Sequence, residues 1–320
     1  MKILIIGAGS VGGYFGGRLA QAKRHVTFLV HAKRAEAIKA NGLQIVSPHG
    51  NLTLRPKTIT AGQISEPYDV ILLGVKNYAL SGAMNDFAAA VGPETMILPV
   101  LNGMRHIDLL SARFGKHAVL GGVCLVATEL DEDGRILQLA DFQKLIYGEL
   151  DGPSTPRLEK LDETLHGAGF ETVLSSHIMH DMWEKWVQIA SVGAITCLLR
   201  GNIGEIVAVP GGADLARWAL RESSDIASAT GHPPTTAFLE GQTAQITAQG
   251  SPLTSSMYRD LEKGAPVEVD TILGDLLERG QKFGLTTPIL QAAFVNLSIY
   301  QRAQAHQPAI SKPLESRVAS

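Results

Sequence analysis

Two stretches of this sequence hold residue types and spacings suited to chemistry. The first is Gly7-Ala8-Gly9-Ser10-Val11-Gly12, which follows the apolar run Ile3 to Ile6 and leads into helix-compatible sequence. Strand, glycine turn and helix start in that order form the pattern of a dinucleotide-binding unit. Gly7 lets the chain turn off the strand, Gly9 lets the backbone approach a pyrophosphate, and Gly12 lets helix and strand pack closely. Ser10 and Val11 open the helix, whose N–H groups and positive dipole end face the phosphates. A glycine-rich turn with packing duties alone is the competing reading. The second stretch is Trp183-Glu184-Lys185-Trp186. Desolvation between two indoles lowers a lysine pKa and a neighbouring carboxylate raises it. Such a balance suits an ammonium that donates a proton near neutral pH. The same residues also fit a lysine snorkelling from an amphipathic helix.

Smaller signals lie between and beyond these. Gly74-Val75-Lys76-Asn77 follows an apolar strand, whose end on this side of the sheet puts Lys76 within reach of a ribose or a substrate. Leu101-Asn102-Gly103-Met104 follows the next strand, so Asn102 is expected near a nicotinamide, although Asn-Gly is also simply a good turn. Downstream stand Ser255-Ser256-Met257 and Glu268-Val269-Asp270, acids that also suit a solvated helix face. The end of the second strand selects the cofactor. NAD sites place Asp or Glu there to bind the ribose 2′-hydroxyl. Here the residues are His31-Ala32-Lys33-Arg34, with no acid, and Lys33 and Arg34 attract a 2′-phosphate. NADPH is therefore the expected cofactor, the alternative being a solvated basic loop.

The elements that must position these residues read as alternating strands and helices. Strands are expected over 2–6, 26–30, 43–46, 70–74, 96–100 and 118–126, and helices over 11–22, 34–41, 79–91 and 107–113. Two further strands, 134–140 and 144–148, suggest a hairpin near the sheet edge. A helix over 156–168 and a strand over 171–174 complete an α/β domain with a mostly parallel, doubly wound sheet. From about Ser175 the pattern is helical, punctuated at Gly201–Gly204, Pro210–Gly212, Pro233-Pro234 and Pro288. The expected domains are therefore residues 1–175, binding the dinucleotide, and 176–320, all-helical, with the active site in the cleft between them. The tail from Gln301 is polar and expected to fray.

Composition narrows the function. The chain has 320 residues, 45% hydrophobic and 18% charged, the range of a globular protein with a sizeable core. A net charge of -3 gives no basic footprint for nucleic acid. The two cysteines, Cys124 and Cys197, stand far apart among apolar residues, which fits a reducing cytoplasm. Glycines break the stretch after Lys2, so no signal peptide is expected, and no uncharged run is long enough for a membrane span. His177, His180 and Asp181 have tolerable ligand spacing, but capping at a helix start explains them better, and no metal is expected. The apolar helical half admits a homodimer or simply a helical core.

Together these pieces resemble the ketopantoate reductase (2-dehydropantoate 2-reductase) family nearly end to end. The matching segments are Gly7 to Gly12, Val75-Lys76, Asn102-Gly103, Trp183-Glu184-Lys185, Ser255-Ser256-Met257 with Asp260, and Glu268-Val269-Asp270 with Gly274. The resemblance implies a Rossmann domain followed by a helical domain of the 6-phosphogluconate dehydrogenase C-terminal type. It implies NADPH-dependent reduction of 2-dehydropantoate, a small 2-keto acid, to pantoate in pantothenate biosynthesis. It assigns Lys185 as general acid, Glu268 as the group orienting substrate or Lys185, Ser256 as a substrate contact, and Asn102 and Lys76 as positioning cofactor and substrate.

The sequence departs from the family in the helix after Lys185. Asparagines are common four and eight residues on, where Ile189 and Gly193 stand, and Leu273 replaces a third before Gly274. Each lost hydrogen bond is worth about 0.5–1.5 kcal/mol. The wall becomes less polar, and Gly193 is expected to leave space. His31 replaces the arginine usual after the second strand, with Lys33 or Arg34 to compensate. These departures leave open a paralogue acting on a bulkier or more apolar 2-keto acid. The residues are also compatible with a dehydrogenase working oxidatively and with a non-catalytic NADPH sensor.

Overall fold

The structure, a computed structural model, describes residues 1–306. It divides after Trp186 into two compact units. The elements of the first are β1 (Lys2–Ile6), α1 (Ser10–Gln21), β2 (His25–Leu29), α2 (Ala32–Asn41), β3 (Leu43–Val46), β4 (Leu52–Leu54), β5 (Lys57–Ile59), β6 (Val70–Leu73), α3 (Leu80–Phe87), β7 (Met96–Pro99), α4 (Arg105–Phe114), β8 (Leu120–Leu130), β9 (Ile136–Glu149), α5 (Pro156–Leu165), β10 (Glu171–Leu174) and the start of α6 (Ile178–Leu199). The division thus falls inside α6, whereas the sequence pattern changes near Ser175.

The first unit is built on a parallel sheet with strand order β5-β2-β1-β6-β7. Its central strands are continuous apolar runs, with Ile3, Leu4, Ile5, Ile71, Leu72 and Leu73 all 0% exposed. That is the signature of strands covered on both faces. β1 is followed in sequence by β2 on one side and flanked by β6 on the other. The order reverses between β1 and β6, and such a switch point leaves a crevice at the strand ends.

The later strands form a second, mixed sheet ordered β10-β9-β3-β4, with β8 antiparallel to β9. The hairpin expected from 134–140 and 144–148 is instead one strand, β9, paired with β8. The turn lies earlier, at Asp131–Gly134. There Asp131 Oδ1 accepts from the Asp133 and Arg135 N–H groups and Gly134 adopts φ +76°. Between the pairs Val126↔Gln143 and Thr128↔Gln138 the register shifts, so Leu139 to Phe142 bulge out. A bulge carrying Asp141 reads locally like a turn. The short strands β4 and β5 carry no apolar run and were not expected.

A buried polar network fastens α1 to the second sheet. The Tyr14 hydroxyl donates to Gln138 Oε1 at 2.7 Å and also to Gln143. Ser47 Oγ donates to the same Gln138 oxygen at 2.6 Å and accepts from Arg18 Nη2 at 2.8 Å. Arg18 is 2% exposed, so this wiring satisfies most of a cation that burial would otherwise penalise heavily.

The second unit is helical: the rest of α6, α7 (Ile203–Val207), α8 (Gly212–Ala229), α9 (Thr236–Ile246), α10 (Ser256–Glu262), a π-helical turn over Asp270–Gly274, α11 (Asp275–Gln281) and α12 (Pro288–His306). Glu222 of α8, a buried carboxylate, accepts from the Ile289 and Leu290 N–H groups at 3.0 and 2.9 Å. It thereby caps α12, whose first residue is a proline with no N–H to satisfy. Burial raises the Glu222 carboxyl pKa, and the two N–H groups oppose that rise. Gln301 to His306 are helical rather than frayed, and residues 307–320 lie outside the described residues. No helix of the described residues is long and apolar enough to cross a membrane.

Gly12 and Gly74 bring α1 against the end of β6. A Cβ on Gly74 would stand 2.7 Å from Gly12 Cα and 2.8 Å from Gly12 N. Because the obstacle is backbone, Gly74→Ala is expected to destabilise the protein by about 1–3 kcal/mol. Denaturant unfolding measures this, and an unchanged midpoint at unchanged slope would refute the close approach.

Candidate active site

The glycine turn, Lys76 and Asn102 leave the sheet from neighbouring strands at the same end. Register places Ile6 beside Leu73 and Leu73 beside Pro99. The segments after β1, β6 and β7 therefore emerge side by side at the switch point. Gly7 has φ +86°, and its N–H donates to Leu29 O at 3.0 Å. A Cβ on Gly12 would lie 2.5 Å from Gly7 O, so the helix start can tuck under the turn only without a side chain there. Gly9 behaves differently: a Cβ there would meet nothing within 4 Å. Gly9 also caps α1 without any side-chain hydrogen bond. No cap side chain thus occupies the first N–H groups of α1, which fits a pyrophosphate.

The basic segment after β2 divides its work. His31 and Lys33 are exposed, His31 at the N-cap of α2, whose first turn holds no acid. Arg34 turns inward. Its Nε donates to Ala8 O at 3.2 Å and its Nη2 to Gly134 O at 3.1 Å, and burial lowers its pKa. Arg34 therefore ties the glycine turn to the β8–β9 turn, a role the sequence did not reveal.

Asn77 Nδ2 donates to Asn102 O at 3.0 Å, which locks the turn after β6 to the turn after β7. Gly103 takes φ +80° just beyond. Lys76, half-buried, is the N-cap of the short helical turn Asn77–Ala79.

Lys185 donates from Nζ to Cys124 O of β8 at 2.7 Å. Its neighbours Trp183 and Trp186 are 2% and 1% exposed, with ring centroids 4.9 Å apart. The lysine is half-buried and held by a carbonyl. Its charge reaches His106, on the first turn of α4, four residues after Asn102. His106 is 0% exposed, and neither ring nitrogen has a hydrogen-bond partner. Burial, with the Lys185 charge added, pushes its pKa down to about 3. Burial pushes the Cys124 thiol up, against the pull of Lys185. His106 went unnoticed in the sequence; its signal was its place beside Ile107 and Leu110 on the apolar face of α4.

At the start of α6, His180 Nε2 lies 3.0 Å from Glu184 Oε1, and Ser175 Oγ donates to Asp181 Oδ2 at 2.5 Å. The acid beside Lys185 is thus engaged by a histidine. A cavity of about 930 Å³ on the second sheet, lined by His49, Gln143 and Phe170 among others, contains none of the expected site residues.

Ser256 and Glu268 belong to the second unit. Ser256 is exposed at the first position of α10. Its neighbour Ser255 is the N-cap, accepting from Tyr258 N at 2.9 Å and sharing a hydrogen bond with Thr196 Oγ1 at 3.1 Å. Glu268 is 9% exposed and precedes the π-helical turn, its carbonyl accepting from Ile272 N at 3.0 Å. A π turn widens the helix locally and is common at functional sites. Asp270 is exposed. The space expected at Gly193 is filled: a Cβ there would lie 2.9 Å from Met257 Cε. Leu273 is fully buried.

Two family models match the chain: ketopantoate reductase PanE/ApbA over residues 3–152 and its C-terminal counterpart over residues 177–301. This protein belongs to the ketopantoate reductase family. An uncharacterized oxidoreductase, YkpB, of Bacillus subtilis is 36% identical over 94% of this chain and 99% of its own. A 2-dehydropantoate 2-reductase of Mesorhizobium japonicum is 28% identical over 91% of this chain and 95% of its own. The crystal structure of a 2-dehydropantoate 2-reductase from Geobacter metallireducens superposes with a TM-score of 0.85 at 27% identity, covering 93% of this chain and 99% of that one. Membership makes this ketopantoate reductase relative an oxidoreductase acting on the carbonyl/CH–OH couple of 2-keto acids with a nicotinamide cofactor. It sets aside the non-catalytic sensor.

Two outcomes are expected. Gly9→Ala should leave stability within about 0.5 kcal/mol yet weaken dinucleotide binding, because its Cβ enters only the space before the helix. Equal affinity by calorimetry would contradict a phosphate at this turn. His106 has a folded pKa of about 3 against an ordinary value of 6.5. Between those values the unfolded chain binds the extra proton, so stability is full above pH 6.5 and falls as pH drops. His106→Leu should flatten that acid-side slope by up to about 1.4 kcal/mol per pH unit. A slope identical to wild type would mean that His106 keeps its proton when folded.

Proposed function

We propose that this protein reduces 2-dehydropantoate to pantoate with NADPH, in a cytoplasmic, reducing setting, within pantothenate biosynthesis. We also propose that residues 1–175 bind the cofactor and residues 176–320 supply the helical substrate domain. The observation that carries the reading is Lys185, a half-buried ammonium that donates to a strand carbonyl at 2.7 Å. Support for the setting comes from Cys124 and Cys197, both buried free thiols. A homodimer is part of the proposal, with the exposed Trp218, Val295 and Ile299 as available apolar surface.

When bound, NADPH supplies a hydride to the keto carbon. The chain's own residues do the rest. The N–H groups of Ser10 to Gly12 hold the pyrophosphate. Lys33 and His31, exposed at the start of α2, would hold the 2′-phosphate, with Arg34 fixing the turn beside them. Asn102 and Lys76 orient the nicotinamide side and the substrate. As hydride reaches carbon, the carbonyl π electrons move to oxygen. Lys185 stabilises the growing alkoxide and then gives it a proton, becoming a neutral amine that solvent reprotonates. Cys124 O aims the ammonium. Glu268 orients substrate or Lys185, and Ser256 contacts the substrate.

The second reading is a paralogue acting on a more apolar 2-keto acid. It is favoured by the packing of Met257 over Gly193 and by the buried Leu273.

Lys185→Ala should lower the rate about 10²–10⁴-fold while leaving NADPH affinity by fluorescence titration unchanged. Full activity of the alanine variant would sink the general-acid assignment. NADPH should be preferred to NADH, and Lys33→Ala should narrow that preference through the KM for NADPH alone. Steady-state kinetics with both cofactors decides this, and equal use of both would overturn the 2′-phosphate assignment.

A further inference from the structure

Two arginines of the first unit carry charge that no acid of the described residues balances. Arg18 on α1 is 2% exposed. Its guanidinium donates to Gln21 Oε1, Ser47 Oγ and Gly50 O, stands 5.4 Å from the Tyr14 ring centroid, and keeps a buried Nε without a partner. Each of those partners is neutral. Arg24, half-buried, donates from Nη2 to His166 O at 2.8 Å, and its Nε is likewise buried and unpartnered. Arginine keeps its charge at any ordinary pH. Hydrogen bonds therefore satisfy most of these donors but leave the charge itself unbalanced, which is costly away from water.

Both cations adjoin one loop, residues 166–170 between α5 and β10. Arg24 holds its first carbonyl, and a Cβ on Gly169 would lie 3.8 Å from Arg18 Cδ. The same loop lines the cavity of about 930 Å³ on the second sheet. Phe142, 56% exposed on the β9 bulge, and Phe170, 7% exposed, give that cavity an aromatic wall. Gln143 lines it as well. Its Oε1 is taken by the Tyr14 hydroxyl, so the group it offers is the amide nitrogen, a donor. Two acids also line the cavity, Asp141 and Glu171, but Lys144 Nζ pairs with Glu171 at 2.8 Å. Arg18, Arg24 and Lys144 thus outweigh the carboxylates. A concave apolar site beside an excess of positive charge concentrates anions.

We propose that this cavity binds a small organic acid with an apolar body, its carboxylate toward the Gln143 amide and the arginine-backed loop, its body against Phe142 and Phe170. The site lies wholly within the first unit and shares no residue with the glycine turn, Lys76, Asn102 or Lys185. An uncharged molecule of the same shape gains the aromatic contact without the charge, so the acid is the ligand the cavity selects.

The test uses 3-phenylpropionate and its uncharged amide, 3-phenylpropanamide, with the full chain at pH 8. Calorimetry should give a Kd for the acid at least about 10-fold below that for the amide. Phe142→Ala, at an exposed ring, should weaken acid binding about 3- to 10-fold and leave the melting temperature unchanged. Arg18→Met, which keeps the length and removes the charge, should bring the two Kd values to within about 3-fold of each other. Arg24→Met, at a half-buried position, should narrow the same ratio even where Arg18→Met does not fold. Lys185→Ala should keep the wild-type Kd for the acid, because that lysine is not part of the cavity. Failure of the acid to bind, equal affinity for acid and amide in wild type, an unchanged ratio in both arginine variants, or loss of acid binding in Lys185→Ala overturns the proposal.

Discussion

The first unit depends on a place where side chains would be in the way. At the switch point between β1 and β6, the backbones of Gly7, Gly12 and Gly74 come so close that a Cβ on Gly12 or Gly74 would fall within 2.5–2.8 Å of another residue's backbone. That approach sets the entry of α1. It directs uncapped N–H groups away from the sheet and lets the segment carrying Lys76 start beside the glycine turn. The order of the strands then decides what else arrives there. β7 pairs with β6, so Asn102 emerges next to Lys76, and the Asn77–Asn102 hydrogen bond joins the two turns.

Lys185 depends on a different part of the sheet. Its carbonyl partner belongs to Cys124 on β8, which runs as an edge partner of β9 rather than as another parallel strand. The lysine is half-buried there, and the carbonyl satisfies one ammonium proton. The cost of concentrating charge here falls on His106, which must remain neutral under a buried wall and a nearby ammonium. A neutral imidazole beside a proton donor adds no competing charge where an alkoxide would form. Arg34 is used in a comparable way: its guanidinium serves backbone carbonyls of two turns and so stiffens the cofactor side of the molecule.

In the second unit the polar groups are largely committed to architecture. Glu222 caps α12, Ser255 caps α10, and Asn202 with Glu205 closes the start of α7 in a reciprocal capping box.

Much of the frame was legible in the order of residue types. The apolar runs of β1, β6 and β7, the glycine turn, and the change to helical pattern after β10 each follow from local periodicity and from glycine's lack of a side chain. The family segments made Lys185, Asn102, Ser256 and Glu268 candidates before any contact was known. The short strands β4 and β5 were not legible, because three-residue pairings draw on neighbours rather than on their own pattern. Nor was the bulge in β9, where polar residues mimic a turn. What the sequence alone determined was which residues could carry chemistry and the frame that holds them, since both follow from nearest neighbours along the chain. Only the tertiary structure decided that Arg34 binds carbonyls, that His106 is buried near Lys185, and that Met257 covers Gly193. Each of those depends on which distant segment fills a given space, and packing sets that, not spacing along the chain.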